Sequence, residues 1–243
     1  RTTARSKSYS QTTNDDQPST SSLRQGVEYI NSLVVIIGWI ALVLSIAVIC
    51  RIRWPNQQEL SRKIVHIGTG PVIPLAWWLG IPADLAIPVA IVITLVVLIN
   101  HRWRLLPAVE DVNRQSYGTV AYGLAITLLL VLFWPENAAA VCAGVLVMAF
   151  GDGLAGLIGR KVRSASWMIW GQRKSIAGTL TMAVMALMLL ITLNLIVDAP
   201  YYPLRILAVT GLAVGLEQLS CWGIDNLTVP IGVAFTWSWM IAA

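Results

Sequence analysis

Long apolar runs alternate with short polar connections along this chain, and the lengths of the runs say what they form. Leu33 to Cys50, Ala138 to Ile158 and Ala177 to Val197 are apolar almost throughout, and each approaches the roughly 20 residues a helix needs to cross the hydrocarbon core of a bilayer. Ile64 to Leu79, Leu85 to Ile99, Val120 to Trp134, Leu204 to Leu219 and Val229 to Ala243 are apolar but shorter. Runs of that length are protein-buried helices, re-entrant pieces or spans lengthened by flanking polar residues. The pattern predicts an all-α fold, a polytopic membrane helical bundle with seven or eight transmembrane helices, occupying residues 31–243 as one domain. Residues 1–30 are rich in Ser and Thr, carry Arg1, Arg5 and Lys7, and show no apolar periodicity over most of their length. They read as a disordered tail, either a transit-peptide remnant or an ordinary flexible terminus.

The connections are one-sided in charge. Arg51, Arg53, Arg62 and Lys63, then Arg102, Arg104 and Arg114, then Arg160, Lys161, Arg163, Arg173 and Lys174 fall in alternate connections, twelve basic residues on one side. The intervening connections around Gly80 to Asp84, Pro135 to Asn137 and Asp198 to Pro203 contain no Lys or Arg. By the positive-inside rule the basic face is cytoplasmic, or stromal in a plastid.

Composition agrees with a bilayer as solvent. The 243 residues are 56% hydrophobic and 12% charged, with mean hydropathy +0.70, too apolar for a soluble domain of this length. Most of the eleven Trp residues lie near run ends, as an interfacial aromatic belt requires. The net charge of +5 follows the topology, and no nucleic-acid recognition module accompanies it, so a nucleic-acid partner is excluded. Cys50, Cys142 and Cys221 form no CxxC pair and read as reduced packing residues.

With that alternation, the polar groups at run ends gather on the basic side: Arg62, Lys63 and His66; Asn113, Ser116, Tyr117 and Thr119; Asp152; Lys174, Ser175 and Thr179; Glu217; Asp225 and Asn226. Asp152 lies near the end of a long apolar run, where an ionisable group costs about 3 kcal/mol on insertion scales and is by default a candidate for ion, metal or proton chemistry. A buried carboxylate followed by Arg160-Lys161 and Arg173-Lys174 suits Mg²⁺ bridging protein oxygen to nucleotide phosphates, with cations on the remaining charge. An intramembrane ion pair of Asp152 with Lys174 or Arg173 is the structural alternative. Gly151, Gly153 and Gly156 match GxGxxG inside a helical run without a preceding strand, so they are not a dinucleotide fingerprint and serve close helix contact or a bend.

Lys174-Ser175-Ile176-Ala177-Gly178-Thr179 opens a helix, where backbone N–H groups and the dipole favour a phosphate; topology alone would also place basic residues there. His66, one turn after Arg62, could accept a hydroxyl proton or bind phosphate, or simply be a packed histidine. Glu217 and Asp225 are candidate further metal carboxylates, against an ion pair and a helix cap. Asn113, Tyr117 and Asn226 are candidates for the substrate pocket.

Arg62-Lys63-Ile64-Val65-His66-Ile67-Gly68, Gly151 through Lys161, Lys174 through Thr179 and Asp225-Asn226-Leu227-Thr228-Val229-Pro230 together resemble the polyprenol kinase family, phytol kinases more than dolichol kinases. The resemblance runs from about Leu60 to the end. It implies an integral membrane enzyme of a plastid or cyanobacterial membrane. Such an enzyme phosphorylates a long-chain isoprenoid alcohol with CTP or another NTP and Mg²⁺. On the matching positions, Asp152 would bind metal and Lys174, Ser175, Gly178 and Thr179 the triphosphate, with Arg62, Lys63, Arg160 and Lys161 also on the nucleotide and His66 joining Asp152 and Lys174 in catalysis. CDP-diacylglycerol synthases look similar around Asp152, but their serine-proline-lysine-lysine-threonine signature is here reduced to Gln172-Arg173-Lys174-Ser175. A cation- or proton-coupled transporter lacks its usual second copy, since the Asp152 segment is not repeated.

Overall fold

A computed structural model describes residues 20–103 and 117–240. Most of the tail, the basic residues Arg104 and Arg114, and the candidates Asn113 and Ser116 lie outside the described residues.

The apolar runs form α-helices: α1 (Thr20–Arg53), α2 (Gln58–Thr69), α3 (Val72–Trp78), α4 (Ala83–Trp103), α5 (Gly118–Phe133), α6 (Ala138–Leu146), α7 (Gly153–Lys161), α8 (Ile176–Ile196), α9 (Pro203–Gln218) and α10 (Asp225–Met240). A π-helical stretch, Val147–Asp152, joins α6 to α7. Among the described residues, four helices are long and apolar enough to cross a membrane: Gly26–Arg53, Ala83–Trp103, Ala138–Lys161 and Ile176–Ile196. The second of these is the run read as Leu85 to Ile99, lengthened at both ends by polar residues.

Two boundaries differ from the sequence pattern. α1 starts at Thr20, inside the stretch read as tail, because adding polar residues to an existing helix costs far less than nucleating one. The run from Ile64 to Leu79 is not one span but α2 and α3, divided at Gly70-Pro71; Pro71 cannot donate to the helical ladder. Neither half is long enough to cross, and α2 is amphipathic, carrying Glu59, Arg62, Lys63 and His66.

The continuous rod Ala138–Lys161 is the centre of the bundle: 61% of its most apolar window is buried, against 6% for α4 and 11% for α1. Asn137 caps its start, its side chain accepting from the Ala140 N–H at 3.2 Å. Met148, Leu129, Met182, Leu190, Val229 and Trp237 form the fully buried core around it. Small residues let α10 and α8 approach the rod closely. A Cβ at Gly144 would collide with the Pro230 carbonyl of α10, and one at Gly178 would lie 3.2 Å from the Ala155 carbonyl.

Among the described residues, one hairpin of strands interrupts the helices. Ser166–Ile169 (β1) and Gln172–Ser175 (β2) form an antiparallel hairpin between α7 and α8, with Ser166 opposite Ser175 and Ile169 opposite Gln172. Trp170 and Gly171 both have positive φ, 48° and 74°, the backbone of a tight two-residue hairpin turn. Lys174 therefore lies in a strand, and α8 begins only after Ser175.

Candidate functional site

A cavity of about 770 Å³ opens among α2, α4, α5, α7, the hairpin, α8, α9 and α10. Of the residues singled out from sequence, Arg62, Lys63, His66, Asp152, Arg160, Lys174, Ser175, Gly178, Thr179, Glu217, Asp225 and Asn226 line it. Segments far apart in the chain do converge on one chamber. Lys161 is exposed and not on the wall. Tyr117 is also off the wall, 60% exposed and stacked against His101 with ring centroids 5.0 Å apart.

Asp152 is the last residue of the π-helical stretch, an insertion in helical register that often marks functional positions. Its Oδ2 accepts from Lys63 Nζ at 2.5 Å, and Lys63 also donates to the Asp152 carbonyl at 3.2 Å. Asp152 does have an ion pair, but with Lys63 of α2, not with Lys174 or Arg173. Gly156, one turn on, makes room for that lysine: a Cβ there would stand 3.0 Å from Lys63 Cε. His66 Nε2 lies 3.3 Å from the Met148 carbonyl and 3.6 Å from Asp152 Oδ2. The Met148 carbonyl, an acceptor within hydrogen-bond distance, suits a proton on Nε2, which makes His66 a donor toward Met148 rather than a base through that atom.

Lys174 forms a second buried pair, donating to Glu217 Oε1 at 2.5 Å and to the Glu217 carbonyl at 2.7 Å. Gln218 Nε2 donates to Glu217 Oε2 at 2.7 Å and to Thr179 Oγ1 at 2.8 Å. Both oxygens of Glu217 are thus engaged with protein donors. The start of α8 is also closed to a phosphate on its backbone side. The N–H of Ile176 goes to the Ala165 carbonyl at 3.0 Å, that of Ala177 to Ser164 Oγ at 3.2 Å and that of Gly178 to Ser175 Oγ at 3.2 Å. The anion cradle of backbone donors expected from the sequence is satisfied from within, because the hairpin folds back over it.

Asp225 differs from the other acids. It is buried, at 7% exposure, and among the described residues no cation stands within ion-pair distance of it. Its Oδ1 accepts from Asn226 Nδ2 at 3.2 Å and from the Asn226 N–H at 3.1 Å. Pro230 brings no N–H, so the Asn226 carbonyl has no donor four residues on in α10. This end of the cavity is therefore rich in oxygen acceptors.

Three residues of the wall, Glu59, Arg163 and Tyr122, escaped the sequence reading as site candidates. Glu59 bridges Arg62 and Arg160, accepting from their guanidiniums at 2.5 and 2.7 Å. Burial opposes its ionisation, yet the two arginines prevail and hold its carboxyl at about 2. Arg163 and Arg173 line the cavity, exposed and without a carboxylate partner among the described residues. Tyr122 of α5 packs on His66, ring centroids 4.5 Å apart. The wall holds six cations, Arg62, Lys63, Arg160, Arg163, Arg173 and Lys174, against four carboxylates, Glu59, Asp152, Glu217 and Asp225.

A charged cavity set into an otherwise apolar helical bundle is the arrangement of a site within a membrane protein. The chain belongs to the polyprenol kinase family. It is 40% identical over 184 residues to a phytol kinase of Synechocystis sp., covering 74% of this chain and 78% of that one. It is 31% identical over 174 residues to a chloroplastic phytol kinase of Arabidopsis thaliana, covering 67% of this chain and 56% of the plant protein. A chloroplastic farnesol kinase of Arabidopsis thaliana is 27% identical over 139 residues, 52% of this chain and 45% of that one. No family model and no solved structure matches.

Proposed function

We propose that this protein transfers the terminal phosphoryl group of CTP, or of another nucleoside triphosphate, to the hydroxyl of a membrane-dissolved isoprenoid alcohol. Phytol is the first acceptor to test, with phytyl phosphate as product. The observation that carries the reading is the single cavity joining unpaired arginines, buried acids and an apolar wall. A triphosphate enters from the polar side, on Arg163 and Arg173, while the alcohol keeps its chain among apolar side chains. The terminal phosphorus–oxygen bridge breaks as the alcohol oxygen bonds to phosphorus, releasing a nucleoside diphosphate and a proton. Catalysis of this kind is positioning plus charge neutralisation.

The donor set suits Mg²⁺. The ion commonly takes one or two carboxylates and completes its shell with waters and substrate phosphates. Among the described residues no three His, Cys, Asp or Glu side chains group as a self-sufficient metal site, which fits an ion that arrives with the nucleotide. Asp225 and Asp152 would hold it; its chemistry would be neutralising phosphate charge. Lys63 fixes the Asp152 carboxylate, and Lys174 fixes Glu217, which we assign to holding that lysine rather than to the metal. The site faces the cytoplasm or stroma of a cyanobacterial or plastid membrane.

Purified full-length protein, incubated with CTP, Mg²⁺ and phytol, should release CDP and form phytyl phosphate. Release of pyrophosphate instead would assign a cytidylyltransferase.

A further inference from the structure

The cavity wall is chemically divided along α2. Its first turns contribute Glu59, Arg62 and Lys63 to the cavity, and its last contribute Val65, His66 and Thr69, roughly 10 Å further along the helix from Arg62 to Thr69. At the second end the wall is completed by Ile93 and Val97, one turn apart on α4, and by Tyr122, Gly123 and Ile126 on α5. Ile93 lines the cavity and is 46% exposed, on a helix of whose most apolar window only 6% is buried. A wall formed by a helix so little covered by the rest of the bundle is one layer thick there. α4 packs chiefly on α5, held there by the Thr94–Thr127 hydroxyl contact at 3.0 Å and by Gly123, where a Cβ would stand 3.0 Å from Thr94 Oγ1.

Resting on the phosphotransferase reading, we infer that Ile93, Val97 and Ile126 form a side slot through which the isoprenoid chain enters from the lipid. The slot admits one flexible apolar chain. It is continuous with the Asp152–His66 end of the chamber, through the contact of His66 with Tyr122. A substrate drawn in from the bilayer never has to move its chain through water, and its hydroxyl stops at the charged groups. Side chains at these positions then select among alcohols by chain shape.

The test uses purified full-length protein in lipid vesicles and two bulky substitutions, Ile93→Trp and Ile126→Trp. Val92→Trp serves as control, since Val92 is 57% exposed on the same helix and not on the cavity wall. Overfilling the slot should lower kcat/KM for phytol and geranylgeraniol on the order of ten- to a hundredfold, with the nucleotide KM changed less than about twofold. Val92→Trp should leave both unchanged. Equal effects from Ile93→Trp and Val92→Trp, or a raised nucleotide KM with the alcohol terms intact, would overturn the slot. A second arm does not need turnover: an isoprenoid alcohol carrying a diazirine, photolysed with wild-type protein, should label peptides of α4 and α5, and excess phytol should suppress the label. Labelling there without turnover would retain the slot and sink the kinase reading; turnover with labelling elsewhere would do the reverse.

Discussion

Lys63 Nζ donates to the Asp152 carboxylate at 2.5 Å, tying the amphipathic helix α2 to the π-helical stretch at the centre of the bundle. The relationship joins a cation and an acid from two separate motifs into one unit. Removing the lysine alone strands a buried carboxylate. Lys63→Met is expected to lower stability by about 3–5 kcal/mol, as for other broken buried pairs. Lys63→Met combined with Asp152→Leu should recover much of that loss while staying inactive. Thermal unfolding in detergent, followed beside turnover, checks both halves.

Glu217 and Asp225 should separate by their response to Mg²⁺. Both Glu217 oxygens are engaged by Lys174 and Gln218, so Glu217→Gln is expected to reduce thermal stability with little change in the Mg²⁺ concentration needed for half-maximal rate. Asp225→Asn should raise that concentration on the order of tenfold or more, about 1.4 kcal/mol of lost metal affinity. A Mg²⁺ titration of each purified variant decides the assignment.

Arg163 and Arg173 are the cavity cations without carboxylate partners among the described residues. Arg163→Gln and Arg173→Gln should each raise the nucleotide KM by about three- to tenfold, roughly 0.7–1.4 kcal/mol, with the alcohol KM unchanged. The effect should shrink as salt is added, because both side chains are exposed and screened.

The crossing of α7 and α8 sets Ser175 and Lys174 against the chamber. A Cβ added at Gly178 would stand 3.2 Å from the Ala155 carbonyl, and one added at Gly159 would stand 2.8 Å from Ser175 Oγ. Gly178→Val is expected to destabilise by about 1–3 kcal/mol through overpacking and to lower activity. Thermal unfolding and turnover of the variant, beside Gly211→Ala in open space on α9, test this.

Much of the fold was legible because lipid imposes length and polarity rules on whole runs: the rod Ala138–Lys161, α8 and the gathering of Arg62, Lys63, Asp152, Lys174 and Asp225 all follow from them. Pairing was not legible. Lys174 and Arg173 neighbour Asp152 in charge pattern, but the hairpin turns Lys174 toward Glu217 and leaves Asp152 to Lys63. The hairpin itself was hidden because its Ser-Trp-Met-Ile-Trp segment reads as an interfacial aromatic stretch; the Trp170-Gly171 turn was the available signal. Glu59 was missed because a lone acid before an amphipathic helix looks like an ordinary first-turn residue, and its second partner, Arg160, is distant in sequence. Ile93 and Val97 carry no signal at all in a run where every neighbour is apolar.

The function proposed for this cavity requires that Asp152 serve phosphoryl transfer there. Purified wild-type and Asp152→Asn proteins, given phytol, Mg²⁺ and CTP labelled in its terminal phosphate, test it by the label recovered in extracted lipid. Labelled phytyl phosphate is expected from the wild type and none from Asp152→Asn, which should still insert into the membrane. Undiminished labelling by Asp152→Asn would contradict the assignment.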